Sequence, residues 1–408
     1  MQSLRIYKYL SLPWMVIALF FFISFIFLAF FKGTQIEYLT NDYLLGLFKN
    51  TFILSFLTAF ISALIAVPLS ILVTFYNFPG KKFFSWGLSL SIAFPAYVYA
   101  FIYVGIFEYS SPISTYLRDF DITLPSIKNL FGASIILSMA LFPYIYLLLR
   151  VKLASVGLDL FRAAKTLGNN NTASIFKVII PSLFPVIVAG MTLVVFETIA
   201  DFGGVSTLRI ETFTVGIYNA WFGYQSYFSA ARLAGYLLLF VFIIIFIAKF
   251  YEGKQNTLAQ KTSEVFEGIK LVPYKSFLAT LYCSTIFTIV FLIPIGQLLI
   301  WSYAENNFLS IENIHLVFNS LALGVIVSMI TVFFGIALAL AYRNDKKLRL
   351  IISVSTSGYA IPGSVISAGL LVSIGYFFGV SITSFGIVGL VLCLSLRFMT
   401  PAYNYLSA

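Results

Sequence analysis

The sequence predicts an all-α polytopic membrane protein, and its composition and its pattern of apolar runs lead to that fold class. Of the 408 residues, 60% are hydrophobic and 10% are charged, whereas soluble domains carry about 25% charged residues. The apolar residues occur in runs of about 20, long enough to cross a bilayer as helices and too long for the tilted strands of a membrane barrel. This composition excludes a soluble enzyme, and it excludes a disordered chain because disorder requires low hydrophobicity and high charge.

About ten transmembrane helices are predicted from these runs. They cover residues 14–31, 48–76, 83–107, 131–153, 181–202, 233–250, 277–303, 317–342, 348–378 and 385–408. Each is expected to be helical because lipid offers no partner to unpaired backbone groups. The first run follows Arg5 and Lys8 and has the outline of a signal peptide. It is long enough to span, and no small-residue cleavage site follows it, so we interpret it as an uncleaved helix.

The basic residues predict the orientation. With the N-terminus in the cytoplasm, 19 of the 25 Lys and Arg residues fall on the cytoplasmic side and six on the other, as the positive-inside rule requires. The formal net charge of +10 is therefore an orientation signal, and it does not require a nucleic acid as a partner.

Few residues are available for metal or redox chemistry. Cys283 and Cys393 lie in separate apolar runs, so we interpret them as core residues without a disulfide. His315 is the single histidine of the sequence, and a zinc or haem site would need more nitrogen and sulfur ligands than the chain supplies. We therefore predict neither a resident metal nor a cofactor.

Two parts of the chain share the order of their landmarks. Asn50 opens one span and Pro95 interrupts the next, 45 residues later, and Asn319 and Pro362 repeat this with a spacing of 43 residues. A pair of lysines follows the first span in both copies. The pattern predicts a duplication with parallel repeats. The predicted units are a first half at residues 1–250, a polar cytoplasmic linker at 251–275 and a second half at 276–408.

The connection at residues 155–181 is the longest ordered-looking cytoplasmic loop. Asp159 is expected to cap a short helix that stops at Gly168 in the left-handed conformation. Thr172 is expected to cap a second short helix, and Pro181 is expected to open the next span. The apolar residues of the first helix recur at spacings of three and four, on a face that favours a groove on a partner protein. These residues are Leu160, Ala163, Ala164 and Leu167.

This loop resembles the EAA signature of the permeases of binding-protein-dependent ABC importers. Ala163-Ala164, Gly168 and Ile180-Pro181 stand at the spacing of that signature. In the family the loop forms a coupling helix that docks on the ATPase subunit. The resemblance therefore implies ATPase-coupling roles for Arg162, Ala163, Ala164, Gly168, Val178, Ile180 and Pro181. Arg162 replaces the family's usual Glu and reverses its charge, whereas Val178 for Ile and Ile180 for Leu are conservative. The alternative is an amphipathic surface loop.

A second stretch narrows the resemblance to the fused permeases of bacterial iron(III) importers. Residues 196–206 and 212–222 are similar to the first half of those proteins, in which one polypeptide carries both membrane halves. The resemblance implies a place in the bacterial inner membrane, two ATP-binding subunits at the cytoplasmic loop and a periplasmic binding protein at the outer face. The alignment of the two repeat copies predicts that the second half is cut before its own EAA loop, which would make this chain a C-terminally truncated version of a longer one. Thiamine permeases are similar in architecture, so another small solute stays open as the cargo.

Two acids near the outer end of the span at 181–202 need an explanation. Glu197 and Asp201 lie four residues apart and therefore on one face of a helix. Acids in such positions usually face the bundle interior or water, and carboxylate oxygens suit iron(III). We treat both as candidate pathway residues, with a structural hydrogen bond or a helix anchor as the favoured alternative. Five tyrosines could also offer oxygen atoms, but bundle packing is the better interpretation. They are Tyr97, Tyr99, Tyr103, Tyr144 and Tyr146.

The sequence carries no phosphate-binding loop of the G-x-x-x-x-G-K-[ST] type. ATP hydrolysis is therefore expected in a separate subunit, and we predict a transport subunit that is not an enzyme. The competing hypothesis of another class is a secondary transporter or a channel, which works without an ATPase.

Overall fold

A computed structural model of the chain describes residues 2–32, 39–154, 158–252, 268–304, 310–379 and 386–407. Within these ranges the secondary structure is helical apart from two strands of two residues each. The helices are α1 (Gln2–Phe27), α2 (Asn41–Phe75), α3 (Lys81–Gly87), α4 (Ala96–Phe107), α5 (Pro112–Arg118), α6 (Leu130–Lys152), α7 (Leu158–Thr166), α8 (Asn171–Ala173), α9 (Ile180–Ala200), α10 (Gly203–Thr207), α11 (Phe213–Tyr218), α12 (Tyr227–Glu252), α13 (Pro273–Phe287), α14 (Ile293–Ala304), α15 (Ile311–Asn344), α16 (Arg349–Ser355), α17 (Gly363–Phe378) and α18 (Gly386–Ser407). The strands are β1 (Tyr76–Asn77) and β2 (Ile269–Lys270). The predicted fold class, an all-α polytopic membrane protein, is confirmed.

Eight helices in the described ranges are long and apolar enough to cross a membrane. A ninth span results if the bent pair Lys81–Ala93 and Ala96–Arg118 is taken as one, although its two parts meet at 89°. The difference from ten predicted spans lies in the runs at 83–107 and 348–378, which form broken helices. Each of these runs contains the proline that the sequence marks as an interruption.

The two breaks have the same cause. Pro95 precedes α4 with φ −58° and ψ 150°, and Pro362 precedes α17 with φ −54° and ψ 140°. Proline lacks the N–H that would bond to the preceding turn, and it drives the residue before it into an extended conformation. Phe94 and Ile361 adopt that conformation. The predicted interruptions at the two prolines are thus confirmed, and each follows a short 3-10 segment.

The chain packs as two compact units, each discontinuous in sequence. Unit 1 comprises Met1–Phe48, Thr212–Ile243 and Glu305–Ala408, and unit 2 comprises Lys49–Glu211 and Ile244–Ala304. The predicted halves at 1–250 and 276–408 are continuous, and their boundaries stay a prediction. Most of the predicted linker, residues 253–267, lies outside the described residues.

In unit 1, the first helix of the chain packs on helices that come late in the sequence. Helix α1 contacts α15, α16 and α17. Trp14 is fully buried, and its Nε1 donates a hydrogen bond of 3.2 Å to the carbonyl oxygen of Ser355 at the end of α16. A Cβ on Gly369 of α17 would come within 2.8 Å of the Phe25 ring. Glycine therefore allows the close approach of α17 to α1, as small residues do between membrane helices.

In unit 2, α6 packs along α9, and this pair positions the candidate site. A Cβ on Gly190 of α9 would lie 3.1 Å from the Cα atom of Ile145 on α6, so the two helix backbones approach closely at this glycine. Helix α13 contacts α3, and α14 contacts α4.

The two strands connect the end of the predicted linker to the segment after α2. Tyr76 lies opposite Ile269 and Asn77 opposite Lys270 in a parallel pair. Gly268 precedes β2 with φ +64°, and a Cβ at this position would collide with the Asn77 side chain. Both the backbone conformation and the available space therefore require glycine here. The sequence predicts the linker only as a polar segment and contains no sign of this pairing.

Candidate functional site

The predicted coupling loop contains one short helix and the start of a long one. Helix α7 ends at Thr166, and Gly168 follows with φ +84°, the left-handed conformation that the sequence predicts. The amide of Asn169 donates to the carbonyl oxygen of Ala164 at 3.1 Å. One of the last carbonyl groups of α7 is thereby satisfied, as is common at helix ends with a left-handed residue.

Two details of the predicted loop are wrong, and a third is confirmed only in part. Asp159 lies within the first turn of α7 and is not its cap. Asn170 caps the next helix in place of Thr172, because its side-chain oxygen accepts a hydrogen bond of 2.7 Å from the amide of Ala173. Pro181 lies in the first turn of α9, as predicted, but the span itself begins earlier, because α8, a π-helical turn and α9 are continuous over Asn171–Ala200. The wider π-helical turn lies directly before Pro181, where it relieves the crowding that a proline ring imposes on the preceding turn.

The packing of α7 also differs from the predicted apolar face. Phe161 and Ala164 are 5% and 2% exposed, and the Phe161 ring centroid lies 5.2 Å from that of Phe75 at the end of α2. Helix α7 also packs on the π-helical turn of the long span, in which Ile175 and Ile179 are buried. The predicted apolar face is therefore wrong in part. The large Phe161 ring packs inward and fixes the orientation of the helix, whereas Ala163 and Leu167 are exposed.

The opposite side of α7, together with the residue that follows it, faces outward. We call this surface the α7 outer face. Leu167 is 82% exposed. The α7 outer face consists of Arg162, Ala163, Lys165, Thr166 and Leu167, all exposed. It combines an apolar centre with two cationic side chains.

The seven residues with predicted coupling roles are divided by this packing. Arg162 and Ala163 belong to the α7 outer face, whereas Ala164 is buried beneath it. Gly168 forms the turn. In the long span, Val178 and Ile180 are half-buried and Pro181 is exposed. The signature therefore contains exposed residues that are accessible to a partner, and also residues that hold the loop by packing or by forming its turn.

The candidate pathway acids lie at the other end of the long span. The 30 residues from Asn171 to Ala200 extend about 45 Å at 1.5 Å per residue. Glu197 is half-buried in the last turn of α9. Asp201 follows the helix, and its Oδ2 accepts a hydrogen bond of 2.9 Å from the amide of Val205 in α10. Asp201 therefore has a structural contact of the kind that the alternative interpretation expects.

Two glycines after Asp201 bring this end of α9 against its neighbours. A Cβ on Gly203 would lie 2.7 Å from the Cβ atom of Tyr97 on α4, and a Cβ on Gly204 would lie 2.7 Å from Asp201 Oδ2. A larger side chain at either position would displace α10. The acids thus stand beside a tightly packed turn.

The buried tyrosines bond to the backbone. Tyr103 donates from its hydroxyl to the carbonyl oxygen of Ile289 at 2.6 Å, and Tyr99 donates to that of Val290 at 2.6 Å. Both acceptors lie in a π-helical turn, Thr288–Leu292. Tyr146 donates to the carbonyl oxygen of Ser85 at 2.9 Å. These contacts give the three phenols a packing role, which is the interpretation that the sequence favours.

Within the described ranges, no group of three or more His, Cys, Asp and Glu residues could hold a metal ion. Glu197 and Asp201 therefore stand as a pair, and a metal held there would need oxygen atoms from elsewhere.

Part of the chain matches a known family. Residues 66–264 match the family described as the binding-protein-dependent transport system inner membrane component. The match includes α7, the long span and the Glu197–Asp201 pair.

Three curated relatives share less than a third of their residues with the chain. The Fe(3+)-transport system permease protein FbpB 2 of Haemophilus influenzae is 24% identical over 350 residues, 83% of this chain and 65% of the relative. The sulfate transport system permease protein CysT of Escherichia coli is 25% identical over 169 residues, 41% of this chain and 60% of the relative. A probable sulfate transport system permease protein of Prototheca wickerhamii is 25% identical over 200 residues, 48% of this chain and 77% of the relative. The chain thus spans less than two thirds of the length of the first two.

Proposed function

We propose that this chain is a permease subunit of a binding-protein-dependent ABC importer in the bacterial inner membrane, with its N-terminus in the cytoplasm. The observation that carries the proposal is the construction of α7. Its inner side is held by Phe161 and Ala164, and its outer face is exposed within the segment that matches the transport family. A short helix that is held in place by buried residues and exposes apolar side chains is suited to dock in a groove of another protein.

The packing around α7 gives the docking site a mechanical connection to the membrane. Helix α7 contacts the π-helical turn Ser174–Ile179, which continues directly into α9. A displacement of α7 is therefore passed to the base of a single long helix whose far end carries Glu197. Packed helices transmit such displacements because protein interiors are dense and compress little. In this proposal, closure of two separate ATPase subunits moves α7, and α9 moves the outer end of the pathway.

Iron(III) is the cargo that we propose first. The iron(III)-system relative is similar over 83% of this chain, and the sulfate-system relative from Escherichia coli over 41%. Sulfate, thiamine and other small solutes are the alternatives. They are distinguished by the ligand of the soluble receptor that serves the proposed importer, because the receptor selects the cargo in systems of this kind. Titration of that receptor with iron(III), sulfate and thiamine identifies which of the three it holds.

Glu197 and Asp201 have different roles within the proposed pathway. We assign contact with a cationic cargo to Glu197, which is half-buried one turn from the helix end. Asp201 accepts the Val205 amide, so we assign to it the positioning of the α10 turn beside the pathway. Glu197→Gln is expected to slow uptake at an unchanged protein level, whereas unchanged uptake would contradict the role of Glu197.

The proposed function is tested by co-purification. The chain carries an affinity tag and is co-expressed with the ATP-binding subunit of the same proposed importer. The ATPase is expected to co-purify with the wild type and to be lost with Leu167→Asp, which adds a charge at the α7 outer face. The matched control is Ile122→Asp, an exposed loop residue near the other end of α6 that is 51% exposed, and it should retain the ATPase.

Equal recovery of the ATPase with both variants would contradict the docking role of α7. Solute flux through the chain alone in vesicles without ATP would instead support the secondary transporter or channel. In the proposed assembly, the chain by itself conducts no cargo.

A further inference from the structure

A cavity of about 260 Å³ lies in unit 2, beside the connection between α4 and α6. It contains neither the α7 outer face nor the Glu197–Asp201 pair. The 23 residues of α6 separate it from α7 by about 34 Å at helical rise. We call it the loop cavity. Its apolar walls are formed by Val104, Phe107, Leu124 and Ile127.

The charged side chains of the loop cavity leave one positive charge in excess. Lys128 and Glu108 form an ion pair, with 3.0 Å between Nζ and Oε2. Arg118 lies over the Tyr109 ring at 3.9 Å from its centroid. It donates to the carbonyl oxygen of Tyr109 and, at 3.1 Å, to the hydroxyl of Thr115. Among the ion pairs formed by the described residues, none involves Arg118. Its N–H groups therefore bond to neutral oxygens and leave its charge uncompensated, and only two of the five N–H groups are used in these bonds.

A buried hydroxyl also lines the loop cavity. Ser114 is 4% exposed, and its Oγ has no hydrogen-bond partner within the described part of the chain. An unpaired buried hydroxyl costs free energy, and a ligand that pairs with it recovers that cost. A guanidinium with spare donors and an unpaired hydroxyl together match the oxygens of a phosphate group.

We propose that the loop cavity binds a phosphate-class oxyanion through Arg118 and Ser114. The oxyanion comes either from the headgroup of an anionic phospholipid or from free phosphate in solution. The apolar walls accept the glycerol and first methylene groups of a lipid, and neighbouring exposed aromatic residues are of the kind found at membrane interfaces. Tyr109 and Tyr116 are 75% and 64% exposed. This inference is independent of the proposed transport function.

Binding is measured by calorimetric titration of the full chain in a neutral detergent. The probes are dihexanoyl phosphatidylglycerol, inorganic phosphate and dihexanoylglycerol, which lacks the phosphate. Arg118→Gln is expected to weaken binding of the productive probe by about tenfold or more, as expected for the loss of a charge-assisted hydrogen bond. Ser114→Ala should weaken binding of the same probe to a smaller extent. If Arg118→Gln does not fold, the binding measured with Ser114→Ala tests the proposal. The matched control is Arg209→Gln, an exposed arginine of unit 2 that does not line the cavity.

The two sources give different results, and each supports the proposal. Saturation by dihexanoyl phosphatidylglycerol without phosphate binding identifies a lipid, and saturation by phosphate identifies a free oxyanion. Three results would overturn the proposal. They are the absence of binding by either phosphate-bearing probe, equal binding of dihexanoylglycerol, and a loss in Arg209→Gln as large as that in Arg118→Gln.

Discussion

The Phe161 ring of α7 lies 5.2 Å from the Phe75 ring at the end of α2, at an interplanar angle of 36°. Both rings are buried, since Phe75 is fully buried and Phe161 is 5% exposed. The pair fixes a nine-residue helix that is too short to be stable in isolation. The orientation of the α7 outer face therefore depends on this contact.

Phe161→Ala is expected to loosen α7 without unfolding the membrane helices. The substitution leaves a void against Phe75, and truncation of a buried phenylalanine costs about 3–5 kcal/mol in a core that cannot collapse. Limited proteolysis should show faster cleavage between residues 158 and 168, and the ATPase should be lost in co-purification. Leu167→Ala is the control for proteolysis because this side chain is 82% exposed. Equal cleavage of both variants would show that the Phe161–Phe75 contact does not hold the helix.

Charge reversal at Arg162 is expected to weaken ATPase docking. Arg162→Glu places an acid where this chain presents a cation, and a rim charge that meets a complementary partner affects association and its salt dependence. We expect a loss of about five- to tenfold in affinity at low salt, which corresponds to roughly 1 kcal/mol, and a smaller loss at high salt. Lys82→Glu is the matched control, since Lys82 is an exposed base outside α7. If binding were unchanged in Arg162→Glu, the arginine would not face the ATPase.

Removal of the Tyr103 hydroxyl is expected to destabilise unit 2. Tyr103→Phe leaves the carbonyl oxygen of Ile289 without the 2.6 Å bond in a π-helical turn. Side-chain hydrogen bonds in membrane proteins contribute about 0.6 kcal/mol on average, so the midpoint of thermal unfolding should fall modestly. Tyr97→Phe, at a side chain that is 54% exposed, should leave the midpoint unchanged. A fall of the same size in both variants would argue against a structural role for the Tyr103 hydroxyl.

The ion pair between α1 and the turn after α15 predicts a pH dependence of stability. The amide of Lys347 and the ammonium of Lys8, which lies 3.2 Å from Asp345 Oδ2, lower the pKa of Asp345 below its usual value. A carboxyl group whose pKa is lowered by folding stabilises the fold above its unfolded pKa, about 3.9, and loses that effect as the pH falls through the folded pKa. Asp345→Asn should therefore lower the unfolding midpoint at pH 7 and lower it by a smaller amount at pH 3, below the unfolded pKa.

Lys8→Gln separates the two causes of this effect, because it removes the ion pair and keeps the bond from the Lys347 amide. Its loss at pH 7 should be smaller than that of Asp345→Asn, and the double variant should lose no more than Asp345→Asn alone. A difference between Asp345→Asn and the wild type that is as large at pH 3 as at pH 7 would contradict the assignment.

Properties that depend on local sequence could be predicted. Long apolar runs identify membrane helices because lipid permits few other structures. Pro95 and Pro362 mark breaks because proline lacks an N–H, and Gly168 marks a left-handed turn because glycine has no Cβ. Each of these residues acts through its own backbone, so neighbours in space have little influence.

Properties that depend on distant partners could not be predicted. The apolar residues of α7 allow two possible buried faces, and the position of Phe75, almost 90 residues earlier, selects the face with Phe161. The acceptor of the Tyr103 hydroxyl lies in a π-helical turn 186 residues away. The pairing of β1 with β2 involves two residues from each side, too few to leave a strand pattern. For Asp201, the sequence favoured a structural contact without identifying the Val205 amide as the donor.

Site-specific photo-cross-linking tests the central claim most directly. A photoreactive amino acid is placed at residue 167, on the α7 outer face, and in a parallel sample at residue 109, near the opposite end of α6, where the tyrosine is 75% exposed. We expect that irradiation of cells expressing the complete system joins residue 167 to the ATPase subunit and does not join residue 109 to it. Capture of the ATPase at residue 109 but not at residue 167 would contradict the account.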